Sequence, residues 1–207
     1  MSDTATKPQE VLVSLAASTA DPGPLGLAAF ALTTFCLSVF NAGILSGTLE
    51  GIVLPLALFY GGIAQLVAGI QEFKKGNTFG ATVFTSYGAF WMAFAAFVHV
   101  IVPEMVAAKT PNINEAVGLF LLAWTLFTIY IMIGSFAING ALAALLVVLE
   151  ITFILLTWGN FANNASIIKL GGYLGIIVAI MAWYCSAAGL LSSVFGKVIL
   201  PVWPVKK

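Results

Sequence analysis

Residues 140–159 read Gly-Ala-Leu-Ala-Ala-Leu-Leu-Val-Val-Leu-Glu-Ile-Thr-Phe-Ile-Leu-Leu-Thr-Trp-Gly, with Glu150 as the one ionisable side chain. A helix crossing the hydrocarbon core of a bilayer needs about 20 mostly apolar residues. No proline interrupts the run, and its length is far beyond that of an ordinary strand. It is therefore a transmembrane helix, and it sets the pattern for its surroundings. Moving outward, comparable apolar runs occupy 25–46, 51–72, 79–102, 115–136 and 171–195. Together they predict an all-α, polytopic membrane protein whose six transmembrane helices bundle around a central solute path. Lipid offers no partner to a free backbone amide, so each span must be helical.

Composition supports the same conclusion. Of 207 residues, 61% are hydrophobic and 8% charged, and the mean hydropathy is +1.07. A soluble domain carries about 25% charged residues; eight acids and eight bases cannot coat one of this size. No basic patch exists to bind nucleic acid, and Cys36 and Cys185 lie in apolar runs, which excludes a disulfide scaffold. Three regions are expected: a cytoplasmic segment over 1–20 whose stretch near 9–18 is a loose surface segment or a short interfacial helix, a six-helix transmembrane transport domain over 21–200, and a short basic cytoplasmic tail over 201–207. The first 20 residues do not make a signal peptide, because Asp3, Lys7, Glu10 and Asp21 flank a short apolar stretch.

The lysines orient the bundle. Lys7, Lys74, Lys75, Lys197, Lys206 and Lys207 fall on the side of the termini, while Lys109 and Lys169 fall opposite. The positive-inside rule then makes both termini cytoplasmic in a cell's inner (plasma) membrane. At the boundaries, Asp21 is expected to cap the first helix, and Pro55 to kink the second.

Polar residues inside apolar spans are costly and therefore informative. Phe30, Thr33, Thr34, Leu37, Ser38 and Asn41 form one stripe, because residues eleven apart lie only about 20° out of alignment. The stripe lines a solute path, or its hydroxyls bond their own helix and its neighbours. Leu58, Gly61, Gly62, Gln65, Gly69 and Glu72 share a side of the second helix. Its glycines suit close helix approach, whereas the Gln65 amide either reaches a path or bonds across helices. Ser86 and Tyr87 are candidates on the third helix; the tyrosine offers a ring to narrow a passage and a hydroxyl to donate, or is simply core. Glu150 is either a candidate proton site or a hydrogen-bonded carboxyl between helices. Asn160 and Asn164 bring amides to the end of the fifth span.

Chemistry of other kinds is not encoded. One histidine, two distant cysteines and scattered acids make no metal site, no serine has a histidine base at suggestive spacing, and no phosphate loop exists. No enzyme, metal or cofactor is expected. Arginine is absent altogether, so a tight guanidinium clamp on a multiply charged acid is unavailable. Hydroxyls and amides suit a weakly held, small anion with an apolar part.

These residues also resemble a known family. Asp21-Pro-Gly-Pro-Leu-Gly-Leu27, Phe59-Tyr-Gly-Gly-Ile-Ala-Gln65, Glu72-Phe-Lys-Lys-Gly-Asn-Thr-Phe-Gly80, Phe84-Thr-Ser-Tyr-Gly-Ala-Phe-Trp91 and Gly159-Asn160 with Asn164 are similar to motifs of the acetate uptake transporter family. The resemblance covers residues 21–200. It implies a hexameric ring with a separate path in each protomer for acetate and related monocarboxylates, with succinate a further substrate in some members. It also implies a hydrophobic constriction, which motif matching places at Phe30, Tyr87 and Leu149. Asp21 departs from the pattern, standing where an asparagine is usual, and Glu150 lies outside the matched motifs.

The expected function is thus passage of acetate and related small monocarboxylates, by a channel or proton-coupled transporter. Thr33, Thr34, Asn41, Gln65, Ser86, Asn160 and Asn164 would be the polar substrate contacts. A channel for a small neutral or cationic solute such as urea or ammonium, and a non-transporting membrane scaffold, stand beside it.

Overall fold

The computed structural model describes residues 19–206; the expected surface segment or interfacial helix near 9–18 lies outside the described residues. Among the described residues six helices are long and apolar enough to cross a membrane: α1 (Gly23–Asn41), α2 (Gly47–Lys74), α3 (Thr78–Ala107), α4 (Ile113–Ser135), α5 (Gly140–Phe161) and α6 (Ala165–Phe195). Among the described residues there is no strand, only an isolated bridge between Asn139 and Pro204.

Asparagine side chains cap three of these helices. Asn77 Oδ1 accepts from the Gly80 amide at 3.1 Å, Asn139 Oδ1 from Leu142 at 2.8 Å, and Asn164 Oδ1 from Ser166 at 3.0 Å. Each bond satisfies an amide that has no partner within its helix. Asp21 works one residue earlier than expected. Pro22 holds the cap position of α1, and the Asp21 carboxylate accepts from the Gly23 amide at 3.2 Å. The first amides of α5 receive further help from the C-terminal tail: Gly140 N donates to Trp203 O at 2.9 Å, and Ala141 N to Val202 O at 3.2 Å.

Several boundaries differ from the hydropathy pattern: α2 begins at Gly47 rather than 51, α3 ends at Ala107 rather than 102, and α6 begins at Ala165 rather than 171. α1 stops at Asn41 rather than 46, because Gly43 takes φ +71° and Ile44 N turns back to Val39 O at 3.1 Å. That left-handed glycine closes the helix, so residues 42–46 are a loop despite their apolar character. The irregularity of α2 also extends well beyond Pro55. A 3-10 turn over Gly47–Ile52 precedes it, and a π-helical stretch over Leu56–Ala64 follows.

Close packing runs from α3 through α2, α1, α6 and α5 to α4. Glycines make the closest approaches. A Cβ at Gly69 would lie 2.5 Å from the Thr85 amide nitrogen, and one at Gly88 2.8 Å from that of Leu66, which locks α2 to α3. Gly172 and Gly175 do the same for α6 against α1, where Ala42 and Ser38 fill the space of a Cβ. Glycines on a helix face permit this backbone proximity. The ring of helices closes differently between α3 and α4, whose backbones touch little. Aromatic rings fill that seam: Phe90 meets Phe120 at 5.7 Å and Trp124 at 5.1 Å, and Tyr87 meets Phe127 at 5.5 Å between centroids. The outer faces carry exposed apolar side chains, among them Phe59, Phe73, Leu119, Ile133 and Ile180.

Candidate functional site: two cavities meeting at Phe30 and Leu149

Two cavities enter the bundle from opposite ends. The proximal one, about 410 Å³, opens at the end bearing residue 21 and the α2–α3 loop. The distal one, about 320 Å³, opens at the end bearing Asn41 and Asn160. Phe30 and Leu149 line both, so these two buried side chains, 6% and 4% exposed, form the partition between them. Tyr87 lines the proximal side only. Its ring lies 5.7 Å from that of Phe30, tilted by 47°. The three residues assigned to a constriction therefore sit together in mid-bundle, contributed by α1, α3 and α5.

The hydroxyl of Tyr87 is already engaged. It lies 2.8 Å from Thr128 Oγ1, while Thr128 Oγ1 donates to Trp124 O at 2.7 Å. A threonine hydroxyl has one proton, so Tyr87 is the donor of the shared bond. Its ring faces the cavity and its proton points to α4.

The stripe on α1 divides. Thr34, Leu37, Ser38 and Asn41 line the distal cavity. Thr33 lines neither; fully buried, it donates to Ala29 O at 3.0 Å and reaches Leu56 O at 3.5 Å. The latter carbonyl belongs to the π-helical stretch of α2, so Thr33 is a link between helices. Gln65 lines the proximal cavity, 1% exposed, and its Oε1 has no hydrogen-bond partner. Asn160 lines the distal cavity and donates Nδ2 to Leu156 O at 2.8 Å. Asn164 is exposed, caps α6 through its side chain and lines neither cavity. Ser86 is half-buried and also lines neither. Glu150 is 5% exposed, both its oxygens are buried without a partner, and it too lies off both cavities.

One residue of the distal cavity carries a signal that the sequence did not isolate. Trp91 Nε1 is buried without a partner and its side chain lines the cavity. Thr34 Oγ1 is in the same condition. An indole N–H can only donate, and a buried donor without a partner is costly. The distal cavity thus offers donors where a carboxylate oxygen could lie. Gly61 gives the indole its room, since a Cβ there would lie 2.9 Å from Trp91 Cδ1. Trp91 falls inside the Phe84–Trp91 motif, but only the fold shows that its nitrogen has no partner.

Six spanning helices, two opposed cavities and a thin apolar partition are the architecture of a small polytopic α-helical membrane protein with a candidate solute path. The model of the GPR1/FUN34/yaaH family matches residues 4–207, and the chain belongs to that family. It is 40% identical to the succinate-acetate/proton symporter SatP of Escherichia coli, over 88% of this chain and 95% of that one. It is 41% identical to acetate permease A of Emericella nidulans, over 88% of this chain and 65% of that one. It is also 41% identical to the ammonia transport outward protein 2 of Saccharomyces cerevisiae, over 83% of this chain and 61% of that one. The chain therefore spans somewhat under two thirds of these fungal relatives. A solved structure described as that of the bacterial acetate channel SatP superposes with a TM-score of 0.82 at 39% identity, covering 89% of this chain and 99% of that one.

Proposed function

We propose that the chain passes acetate and related small monocarboxylates across a membrane, through a path that joins the two cavities of a single protomer. The observation that carries this reading is the shared lining: Phe30 and Leu149 are the thin barrier between two chambers reaching opposite ends. A monocarboxylate has an apolar end to pass such a barrier and a charged end for the donors beyond it. In this account Thr34, Asn41, Asn160 and Trp91 receive the carboxylate in the distal cavity, and Gln65 meets it in the proximal one. Phe30, Leu149 and the Tyr87 ring form the constriction. Thr33, Ser86 and Asn164 act through the fold rather than on the solute. Glu150, off both cavities, keeps its place as a candidate proton site only through its two unpartnered oxygens.

The names of the E. coli and E. nidulans relatives and of the solved channel support a carboxylate substrate, with succinate as a further candidate. Proximal is assigned to the cytoplasmic side of an inner (plasma) membrane from the lysine distribution, and the resemblance supports a homo-hexamer. No catalytic step is part of the proposal. The ammonia name of the yeast relative supports a second reading, passage of ammonia or ammonium. The unpartnered Trp91 indole of the distal cavity, which can only donate, favours an anion over that cation, with Glu50 the one carboxyl of that lining.

Uptake of labelled acetate into vesicles reconstituted with the full chain tests the proposal. Uptake above empty vesicles, competed by propionate and not by urea or ammonium, is expected. No uptake above empty vesicles, or competition by ammonium alone, would overturn it.

A further inference from the structure

The distal cavity opens where the six helices end or begin, and each helix gives a side chain to that rim. They are Asn41 from α1, Glu50 from α2, Val102 from α3, Val117 from α4, Asn160 from α5 and Ile168 from α6. Glu50 is the one ionisable side chain of the whole lining. It belongs to the 3-10 turn over Gly47–Ile52 that begins α2. An acid there suits the positive end of a helix, but this turn has the pattern of a soluble surface reversed. Leu49 and Ile52 point outward, 60% and 62% exposed, while Glu50 is half-buried and lines the cavity. Lipid suits the apolar side chains, whereas a charge in a span faces the bundle interior or a cavity.

Among the described residues no cation neutralises Glu50. The ion pair found there, Lys75 with Asp21, lies at the opposite end. Lys169 packs its stem on Gly43, where a Cβ would lie 3.0 Å from Lys169 Cε, and it forms no ion pair with Glu50. The rest of this end attracts anions: α2, α4 and α6 begin there and present positive dipole ends, and Lys169 adds its charge. Such attraction grows with the charge of the solute, so unopposed it favours a dicarboxylate over a monocarboxylate. Glu50 opposes it. Gly61, whose Cβ would lie 2.9 Å from Trp91 Cδ1, is further along α2, which puts Glu50 about 15 Å outward of the indole. A wet charge is largely screened beyond about 8 Å at physiological salt. The carboxylate therefore acts on a solute entering the mouth and little on one held at Trp91.

We infer that Glu50 is a charge filter at the distal mouth, which admits carboxylates bearing one negative charge and disfavours those bearing two. The inference rests on the carboxylate-passage reading and deepens it by naming the substrate class. A monocarboxylate meets the repulsion of Glu50 once and can turn its apolar end toward that carboxylate. A dicarboxylate charged at both ends meets it twice and has no apolar end to turn. Two unit charges about 7 Å apart repel by about threefold in water and about fiftyfold at the effective dielectric of a protein surface. Discrimination of about tenfold is the middle of that range. The indole and the partition then act on an acid already selected by charge.

The test follows labelled acetate or labelled succinate into vesicles reconstituted with the full chain, with the potential clamped at zero by potassium and valinomycin. At about pH 8 acetate carries one charge and succinate two. Initial rates at low substrate, above empty vesicles, are compared for wild type, Glu50→Gln and Glu50→Asp. Wild type and Glu50→Gln are also compared in potassium chloride from about 0.02 M to about 0.5 M. Wild type should prefer acetate. Glu50→Gln should keep acetate uptake and raise the succinate-to-acetate ratio about tenfold. Glu50→Asp, which keeps the charge, should keep the wild-type ratio. Salt should raise the ratio of wild type and not that of Glu50→Gln. An unchanged ratio in Glu50→Gln, or a ratio raised equally in Glu50→Asp, overturns the inference; a purely structural role would move uptake of both acids together. Should Glu50→Gln fail to fold, the wild-type salt response decides, and a ratio indifferent to salt overturns the inference. Wild-type uptake of succinate as fast as acetate removes the filter and leaves the passage reading standing, whereas no acetate uptake at all sinks both.

Discussion

Tyr87→Phe separates two roles that the constriction tyrosine could have. If its hydroxyl donates to the passing carboxylate, removing it costs a charge-assisted bond of about 1.5–3 kcal/mol. At about 1.4 kcal/mol per tenfold, flux or affinity would then fall by about 10- to 150-fold. The structure argues otherwise. Thr128 Oγ1 already gives its one proton to Trp124 O at 2.7 Å, so the Tyr87 proton is spent on Thr128 at 2.8 Å. Deleting the oxygen removes one neutral bond, worth about 1 kcal/mol of stability, and leaves Thr128 still bonded to Trp124 O. The ring, its 5.7 Å approach to Phe30 and the partition remain. Tyr87→Phe is therefore expected to lower the melting temperature slightly and to keep acetate uptake within a small factor of wild type. Initial rates in vesicles, normalised to protein and paired with a thermal melt in detergent, measure both. A loss of tenfold or more in rate, with the melt unchanged, would place the hydroxyl on the path instead.

Leu149→Ala should admit larger monocarboxylates, because it removes one of the two side chains common to both cavities; competition by butyrate against labelled acetate reads this out, and unchanged selectivity would contradict it. Trp91→Phe keeps an aromatic wall but deletes an unpartnered donor, so it should weaken half-saturation by acetate by about tenfold, the worth of one hydrogen bond to a charge, without loss of stability. Gly69→Ala would force a Cβ to 2.5 Å from the Thr85 amide nitrogen. Overpacking of this kind costs about 1–3 kcal/mol, and a lower melting temperature should accompany a changed flux, since Tyr87 lies two residues further along α3.

The six spans were legible because hydropathy records the bilayer directly, and the stripe on α1 because a helical period records a face. Thr33 left that stripe for a reason outside its own helix: a carbonyl of the π-helical stretch on α2 lies within its reach. Local sequence does not announce such a carbonyl. Asn164 shows a different ambiguity, since an asparagine at a span's edge serves a solute or the first amides of a helix, and here it serves the amides. The partition itself came from resemblance rather than from residue pattern, because nothing in the spacing of Phe30, Tyr87 and Leu149 brings three helices to one point. The states of Tyr87 and Trp91 depended on long-range neighbours. One hydroxyl is engaged by a threonine 41 residues away, and one indole is left without a partner. Glu150 was legible as a buried carboxyl, but not in its orientation away from both cavities.

In the proposed path, solute passes from one cavity to the other between Phe30 and Leu149. Leu149→Trp tests it most directly, because the indole would fill the partition while the cavities on either side give it room. Acetate uptake should fall to the level of empty vesicles in a variant that elutes and melts like wild type. Uptake at the wild-type rate through such a protein would contradict the account.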